Sequence, residues 1–247
     1  MDTAVIRSSL LSMGSGALLL ALAACNGDPV NFGKHNNALA FPTADRPVAK
    51  IVSTRWSTEE ARDRVHEAGE VMGKAGIKPG MTVADIGAGE GYYTIRLATR
   101  VGKDGRVLAE DILPEVRDAL AERVARERLD NVSVRLGEPA DPKLPDSSFD
   151  RVLMVHMYHE IDQPYEFLWR LRPSLRPDGL VIVVDADRPT QSHGTPPALL
   201  KCEFAAVGYA LATFQDMPSA GGYLAAFRLA GNRPAPSDIV ACKANGR

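Results

Sequence analysis

Residues 82–91, Thr-Val-Ala-Asp-Ile-Gly-Ala-Gly-Glu-Gly, constrain the fold of this 247-residue chain more than any other stretch. A short apolar run from Met81 to Ile86 carries one carboxylate, Asp85, and then breaks into Gly87, Gly89 and Gly91. Glycine tolerates φ > 0 and lets the backbone approach a ligand that a Cβ would hold off. The next stretch, Tyr92 to Ala98, reads as a helix whose N-terminal amides face the same ligand. Strand, tight glycine loop and helix form the first βα turn of a nucleotide-binding sheet.

The spacing narrows the choice of ligand. A dinucleotide fingerprint needs a third glycine three places after the second, and that place is Tyr92. A P-loop needs Gly-Lys-Ser/Thr, which does not follow. The remaining pattern is Asp-x-Gly-x-Gly-x-Gly. It resembles motif I of the class I S-adenosylmethionine-dependent methyltransferases, in which the loop passes the methionine moiety and the acid orients its ammonium group. A cationic sulfonium ligand without phosphates suits an acid here and needs no phosphate-binding lysine.

The rest of the chain alternates strand and helix patterns. Strands are expected at Arg106–Asp111, Val132–Leu136, Phe149–His156 and Leu180–Asp185. Helices are expected from Pro114, over Tyr165–Leu175 and over Pro197–Val207. Two further strands, near Tyr209–Phe214 and Tyr223–Leu229, follow each other closely and should pair antiparallel. Alternation of this kind predicts an α/β fold, a doubly wound and mostly parallel seven-stranded sheet with a C-terminal antiparallel hairpin. That order is similar to the Rossmann-like class I methyltransferase sheet over about Thr58 to Leu229. Before it, the Ser57-Thr58-Glu59-Glu60 capping box opens one helix running to about Ala75. Leu144-Pro145-Asp146-Ser147-Ser148-Phe149-Asp150 resembles the lead into strand four of methyltransferase 11-like small-molecule enzymes.

An acid about twenty residues beyond a glycine loop accepts hydrogen bonds from ribose hydroxyls. Asp111 holds that place, and its neighbour Glu110 competes for it. With motif I, the resemblance implies that S-adenosyl-L-methionine is contacted by Asp85, Gly87, Ala88, Gly89, Gly91, Tyr92, Asp111, Ile112 and Glu138. Glu138 stands where such enzymes place an acid near the adenine amino group, with Asp141 as the alternative. The segment His156-Met157-Tyr158-His159-Glu160 ends strand four and should border the transferring methyl group. Enzymes that methylate amino groups of bases or glutamine commonly carry Asn/Asp-Pro-Pro-Tyr/Phe there, and none exists. The acceptor expected is therefore a small molecule presenting oxygen, sulfur or carbon. His159 is the candidate base, Glu160 the group orienting its ring, and Tyr158 a substrate contact. As alternatives, His159 and Glu160 cap the next helix, and His156 is a satisfied, partly buried side chain. His193, in the polar loop after strand five, is given little weight. No Cys/His cluster has zinc spacing, so no metal is expected.

A net charge of −2 and 6% aromatic residues give no footprint for nucleic acid. The N-terminus has a separate character. Arg7 precedes Leu10-Leu11 and an apolar core ending Leu22-Ala23-Ala24-Cys25, a secretory leader rather than a membrane span. Those four residues resemble the bacterial lipobox, which implies that Cys25 is lipidated and that Asn26 favours the outer membrane, on the periplasmic face of the envelope. Cys202 and Cys242 remain, and are expected to stay unpaired. The organisation read from sequence is a signal peptide (1–24), a lipid-attachment cysteine and linker (25–55), a methyltransferase domain (56–232) and a flexible tail (233–247). The function expected is methyl transfer to a small molecule by a membrane-anchored exported enzyme. The alternatives are an exported binding module of the same fold, or a protein-carboxyl methyltransferase. S-adenosylmethionine is made in the cytoplasm, which sits uneasily with an exported domain.

Overall fold

Strand and helix alternate from the first glycine loop onward, as the periodicity requires. The computed structural model describes Met1, residues 40–51 and residues 57–244. The leader, Cys25 and most of the linker lie outside the described residues. The elements are α1 (Glu59–Arg64), α2 (Glu67–Lys74), β1 (Thr82–Ile86), α3 (Tyr92–Val101), β2 (Arg106–Asp111), α4 (Pro114–Arg126) and β3 (Val132–Leu136). They continue with β4 (Phe149–Val155), α5 (Pro164–Leu171), β5 (Leu175–Asp185), α6 (Pro197–Ala206), β6 (Tyr209–Met217) and β7 (Gly222–Leu229).

One seven-stranded sheet has the order β3-β2-β1-β4-β5-β7-β6. The first five strands are parallel, and β7 pairs antiparallel with both β5 and β6. The order reverses between β1 and β4, so a crevice opens beyond the carboxyl ends of those two strands. The central strands are apolar throughout because both faces are covered. Ala84, Ile86, Val152, Met154, Val181 and Val183 pack on one face, with Leu168 of α5 and Phe204 of α6. Their neighbours Val83, Leu153, Ile182 and Val184 pack on the other, with Val71 of α2 and Leu97 of α3. Phe204 stacks on Phe227 of β7 with ring centroids 3.8 Å apart.

The expected elements stand, with changed limits. The single helix over 57–75 divides into two at His66, which takes φ 54°. Arg62 and Glu67 brace the break with a buried ion pair of 2.6 Å, and Thr58 is the residue that caps α1, accepting from the Ala61 amide. The fifth strand begins at Leu175 rather than Leu180. Arg176–Gly179 had the composition of a turn, but here they run beside β4, with a register irregularity between Phe149 and Arg151. A Cβ at Gly179 would meet the Phe149 carbonyl oxygen at 2.8 Å, so only glycine allows that approach. The sixth strand extends to Met217.

Two segments expected to be loose are packed, so the ordered body is wider than 56–232. In the arm before α1, Arg46 is buried and pairs with Glu203 of α6 at 2.8 Å. The Arg46 guanidinium also donates to the Ile161 carbonyl, and the Ala49 amide donates to the His159 carbonyl. The supposed tail is fixed as far as it is described. Trp169 donates to the Pro234 carbonyl, Ile239 is buried, and the Cys242 amide donates to the Tyr165 hydroxyl. Cys202 and Cys242 form a disulfide across 40 residues, correcting the expectation of two free thiols. Neither residue is near the other in sequence, and only the return of the tail onto α6 brings them together.

A bridge closing such a loop constrains the unfolded chain and contributes about 2–4 kcal/mol. Cys202→Ser is expected to lower the unfolding free energy by that amount and to speed amide exchange at Cys242. Unchanged exchange and an unchanged denaturation midpoint would show that packing alone holds the tail.

Candidate functional site

The glycine loop leaves β1 with Gly87, Gly89 and Gly91 at φ 65°, 55° and 90°. All three lie in the left-handed region, where an L side chain is strained. At Gly87 a Cβ would also come within 3.0 Å of Met157, so the loops after β1 and β4 touch. At Gly91 it would meet Leu120 of α4 at 2.5 Å. The loop thus presents backbone on one side and packs closely on the other.

Carboxylates support it from beneath. Asp85 is buried at the end of β1 and accepts from the Thr94 hydroxyl at 2.6 Å. Burial pushes its carboxyl up to about 6, opposed in part by that hydrogen bond. Asp111 ends β2 and accepts from the amides of Gly89 and Leu113, each at 3.0 Å. Burial raises its carboxyl despite these amides. The competing acid, Glu110, is turned under Gly137, at whose α-carbon no side chain would fit. Its main-chain carbonyl receives the Ala88 amide, and burial drives its carboxyl far upward. The Asp111 side chain is therefore bonded to the glycine loop and the start of α4, and the Glu110 side chain lies under Gly137. Ile112 is half-buried beside Asp111. Glu138 is exposed and pairs with Lys143 at 3.2 Å.

Two expected contacts are redirected. The Tyr92 hydroxyl donates to Asp63, and its ring lies between the guanidinium groups of Arg62 and Arg96 at 3.8 and 3.9 Å. Its side chain therefore binds α1 to α3. Tyr158 is fully buried and donates to Glu203 at 2.8 Å, which makes it core and leaves it no reach to a substrate.

The acceptor side differs from the expectation in one partner. His159 is buried on a short 3-10 turn (Tyr158–Glu160), and its Nδ1 lies 3.1 Å from both oxygens of Asp185 at the end of β5. The ring is oriented by Asp185 and not by Glu160. Asp185 has no exposure and is itself held by the Thr195 hydroxyl at 2.7 Å and the Ala186 amide at 2.9 Å. Glu160 is half-buried, and burial pushes its carboxyl up to about 7. His193, distant in sequence, stands edge-on to His159 with ring centroids 5.4 Å apart. Neither His159 nor Glu160 caps a helix. His156, at φ 56°, is buried 4.0 Å from Glu67, and burial lowers its imidazole to about 4. Asp185 was legible as an acid ending an apolar strand. His193 had no local signal, because only the path of the loop after β5 brings it back.

Residues 83–179 match the family model described as a methyltransferase domain. The chain is 33% identical over 135 residues to an arsenite methyltransferase of Halobacterium salinarum, covering 52% of this chain and 34% of that one. It is 36% identical over 107 residues to a nocamycin O-methyltransferase of Saccharothrix syringae, covering 42% and 37%. It is 32% identical over 111 residues to an (S)-coclaurine N-methyltransferase of Thalictrum flavum, covering 44% and 30%. The matched stretch thus spans about a third of the length of each relative. Among solved structures, an S-adenosylmethionine-dependent methyltransferase from Aquifex aeolicus superposes with a TM-score of 0.60 at 23% identity, covering 70% of this chain and 98% of that one. The [4+2]-cyclase SpnF superposes with a TM-score of 0.57 at 16% identity, covering 77% and 90%.

The buried Asp85 carboxyl gives a prediction about stability. Its folded pKa lies above the ordinary value of 3.8, so the folded state holds a proton that the unfolded state releases between pH 4 and about 6. Stability contributed by this group is therefore present below pH 4 and lost as pH rises through about 6. Asp85→Asn stays neutral and is expected to gain up to about 3 kcal/mol over wild type between pH 4 and 7. Chemical denaturation of both proteins at the two pH values checks this, and equal differences at both would refute it. With the sheet order, the glycine loop and these matches in view, the chain has the class I methyltransferase fold, and residues 83–179 of it are similar to a methyltransferase domain.

Proposed function

We propose that the protein transfers a methyl group from S-adenosyl-L-methionine to a small-molecule acceptor. The observation that carries this reading is a convergence at the switch point of the sheet. A three-glycine loop with left-handed backbone, underlaid by Asp85 and Asp111, meets a buried His159–Asp185 pair across the β1–β4 crevice. In this reading Gly87, Ala88, Gly89 and Gly91 line the methionine moiety, and Asp85 orients its ammonium. Asp111 binds the ribose hydroxyls, while Ile112 and Glu138 border the base.

The sulfonium is an activated donor, so the protein mainly aligns the acceptor for in-line displacement and keeps water out. The acceptor's lone pair forms the new bond to the methyl carbon as the carbon–sulfur bond breaks, and S-adenosylhomocysteine leaves. Asp185 fixes the Nδ1 side of His159, which leaves Nε2 to take the acceptor's proton. Glu160 borders the same space. The relatives are named for arsenic, oxygen and nitrogen acceptors, so the acceptor atom is read from the site. The absence of Asn/Asp-Pro-Pro-Tyr/Phe after β4 favours oxygen, sulfur or carbon.

The enzyme is further proposed to be exported and held to the periplasmic face of the envelope, with the outer membrane favoured, by lipid on Cys25. The support is the sequence of the leader. Among the described residues no helix is long and apolar enough to cross a membrane.

Calorimetry of the full chain with S-adenosylmethionine and S-adenosylhomocysteine tests the first proposal. Micromolar or tighter binding is expected. Gly89→Val, which forces a β-branched residue into φ 55°, should abolish it while far-UV circular dichroism stays native. Undiminished affinity in a folded Gly89→Val protein would remove the glycine loop from the cofactor site. For the second proposal, a bacterial host fed labelled palmitate should label the wild-type protein and not Cys25→Ser. Label retained in the variant, or a wild-type protein without label, would end the lipid assignment.

A further inference from the structure

Near the proposed acceptor side, three side chains from two separate loops present ligand atoms toward one another. His159 and Glu160 come from the short turn after β4, and His193 follows a second 3-10 turn (Thr190–Ser192) after β5. One ligand atom from each of the three lies within 4.8 Å of the other two. Among the described residues, theirs is the group of histidine, cysteine and acidic side chains with this closeness. Glu160 and His193 lie 33 positions apart, so no local motif reveals it.

We propose that His159, Glu160 and His193 bind a divalent transition-metal cation, with zinc as the type case. Two imidazoles and one carboxylate make the ligand set of an open zinc site, in which three protein groups leave a position for water or substrate. The set is harder than thiolate and softer than all-oxygen, which selects zinc, cobalt or iron over magnesium and calcium.

The surroundings have the features such a site needs. His159 is committed through Nδ1 to the Asp185 carboxylate, which fixes the ring and leaves Nε2 for the metal. A carboxylate behind a ligating histidine raises its basicity and sets its direction. Asp185 is in turn held by the Thr195 hydroxyl and the Ala186 amide, so the orienting group cannot swing away. His193 adopts φ 56°, a left-handed conformation that costs a non-glycine residue energy and here turns the ring toward His159.

At a metal–nitrogen distance of about 2.0–2.1 Å, tetrahedral ligand atoms sit roughly 3.3 Å apart, and the trio's atoms lie within 4.8 Å of one another, so binding asks for at most a small contraction. Glu160 and His193 are both half-exposed, and they supply that movement while the buried His159 stays fixed. The open position then takes the oxygen or sulfur of the methyl acceptor, a role that rests on the methyl-transfer reading. Coordination lowers the acceptor's pKa. The proton leaves to solvent, and the cation takes over the task otherwise given to bare His159.

The test is direct metal binding by the purified full chain, first stripped with chelator. Titration with zinc chloride should show one tight site, and cobalt substitution should give the visible absorption of a low-symmetry nitrogen–oxygen site. His193→Ala, at a half-exposed loop position, is expected to weaken zinc binding at least 100-fold with its circular dichroism unchanged. Asp185→Asn, acting through His159, should weaken it by about 10–100-fold. A wild-type chain that takes up no zinc, or a folded His193→Ala chain that binds it as tightly, would overturn the proposal. Calorimetry with S-adenosylmethionine on the same His193→Ala protein reads the methyl-transfer assignment separately, because His193 is no part of the proposed cofactor contacts.

Discussion

Three strands of the sheet, β1, β2 and β5, carry a carboxylate withdrawn from water at or next to their last residue, and the loops beyond the strands' carboxyl ends are arranged around them. A buried acid is costly unless polar hydrogens reach it. Asp85 receives a hydroxyl from the first turn of α3, which fixes that helix over the strand end. Asp111 receives amides from Gly89 and Leu113, which ties the glycine loop to the start of α4. Asp185 receives a hydroxyl, an amide and an imidazole, which gathers the loops after β4 and β5. Each requirement for a hydrogen-bond donor thus becomes a constraint on a loop.

The three acids also divide the labour of the site. The two nearest the glycines bond the loop and the helix that follows it, and in the proposed reading they suit a cationic, phosphate-free ligand. The third serves a histidine and has no exposure of its own, so its influence passes through the ring it holds. The fold supplies the crevice, and the choice of acids at the strand ends supplies its chemistry.

Much of the fold was legible because it depends on periodicity that sequence carries directly. The alternation of apolar runs and amphipathic helices located all seven strands, and the glycine spacing located the loop. Elements governed by distant contacts were not legible. The helix break at His66 depends on Arg62 and Glu67 facing a tyrosine from α3. The early start of β5 depends on glycine at 179 lying against β4. Within the site, strand alternation puts Asp111 and Glu110 on opposite faces without saying which one meets the glycine loop, and Tyr92 and Tyr158 carried the right composition at the right place and turned to other partners. Hydroxyls at such positions follow whichever acid lies in reach, here Asp63 and Glu203, and neither is near in sequence. The same limit hid the partner of His159 and the cystine.

Cys202 and Glu203 are consecutive on α6, and each fastens one end of the chain: the first takes the returning C-terminal segment, the second takes Arg46 from the N-terminal arm. The consequence is mechanical. A pull applied to the chain ahead of residue 40 meets a buried guanidinium–carboxylate contact to α6 and backbone bonds to the turn after β4 before it reaches the sheet. That helix is clamped by a covalent bond at the adjacent position and by stacking of Phe204 on β7. Load entering on that side is therefore divided between α6, which stacks on the antiparallel half of the sheet, and the turn after β4 that carries His159.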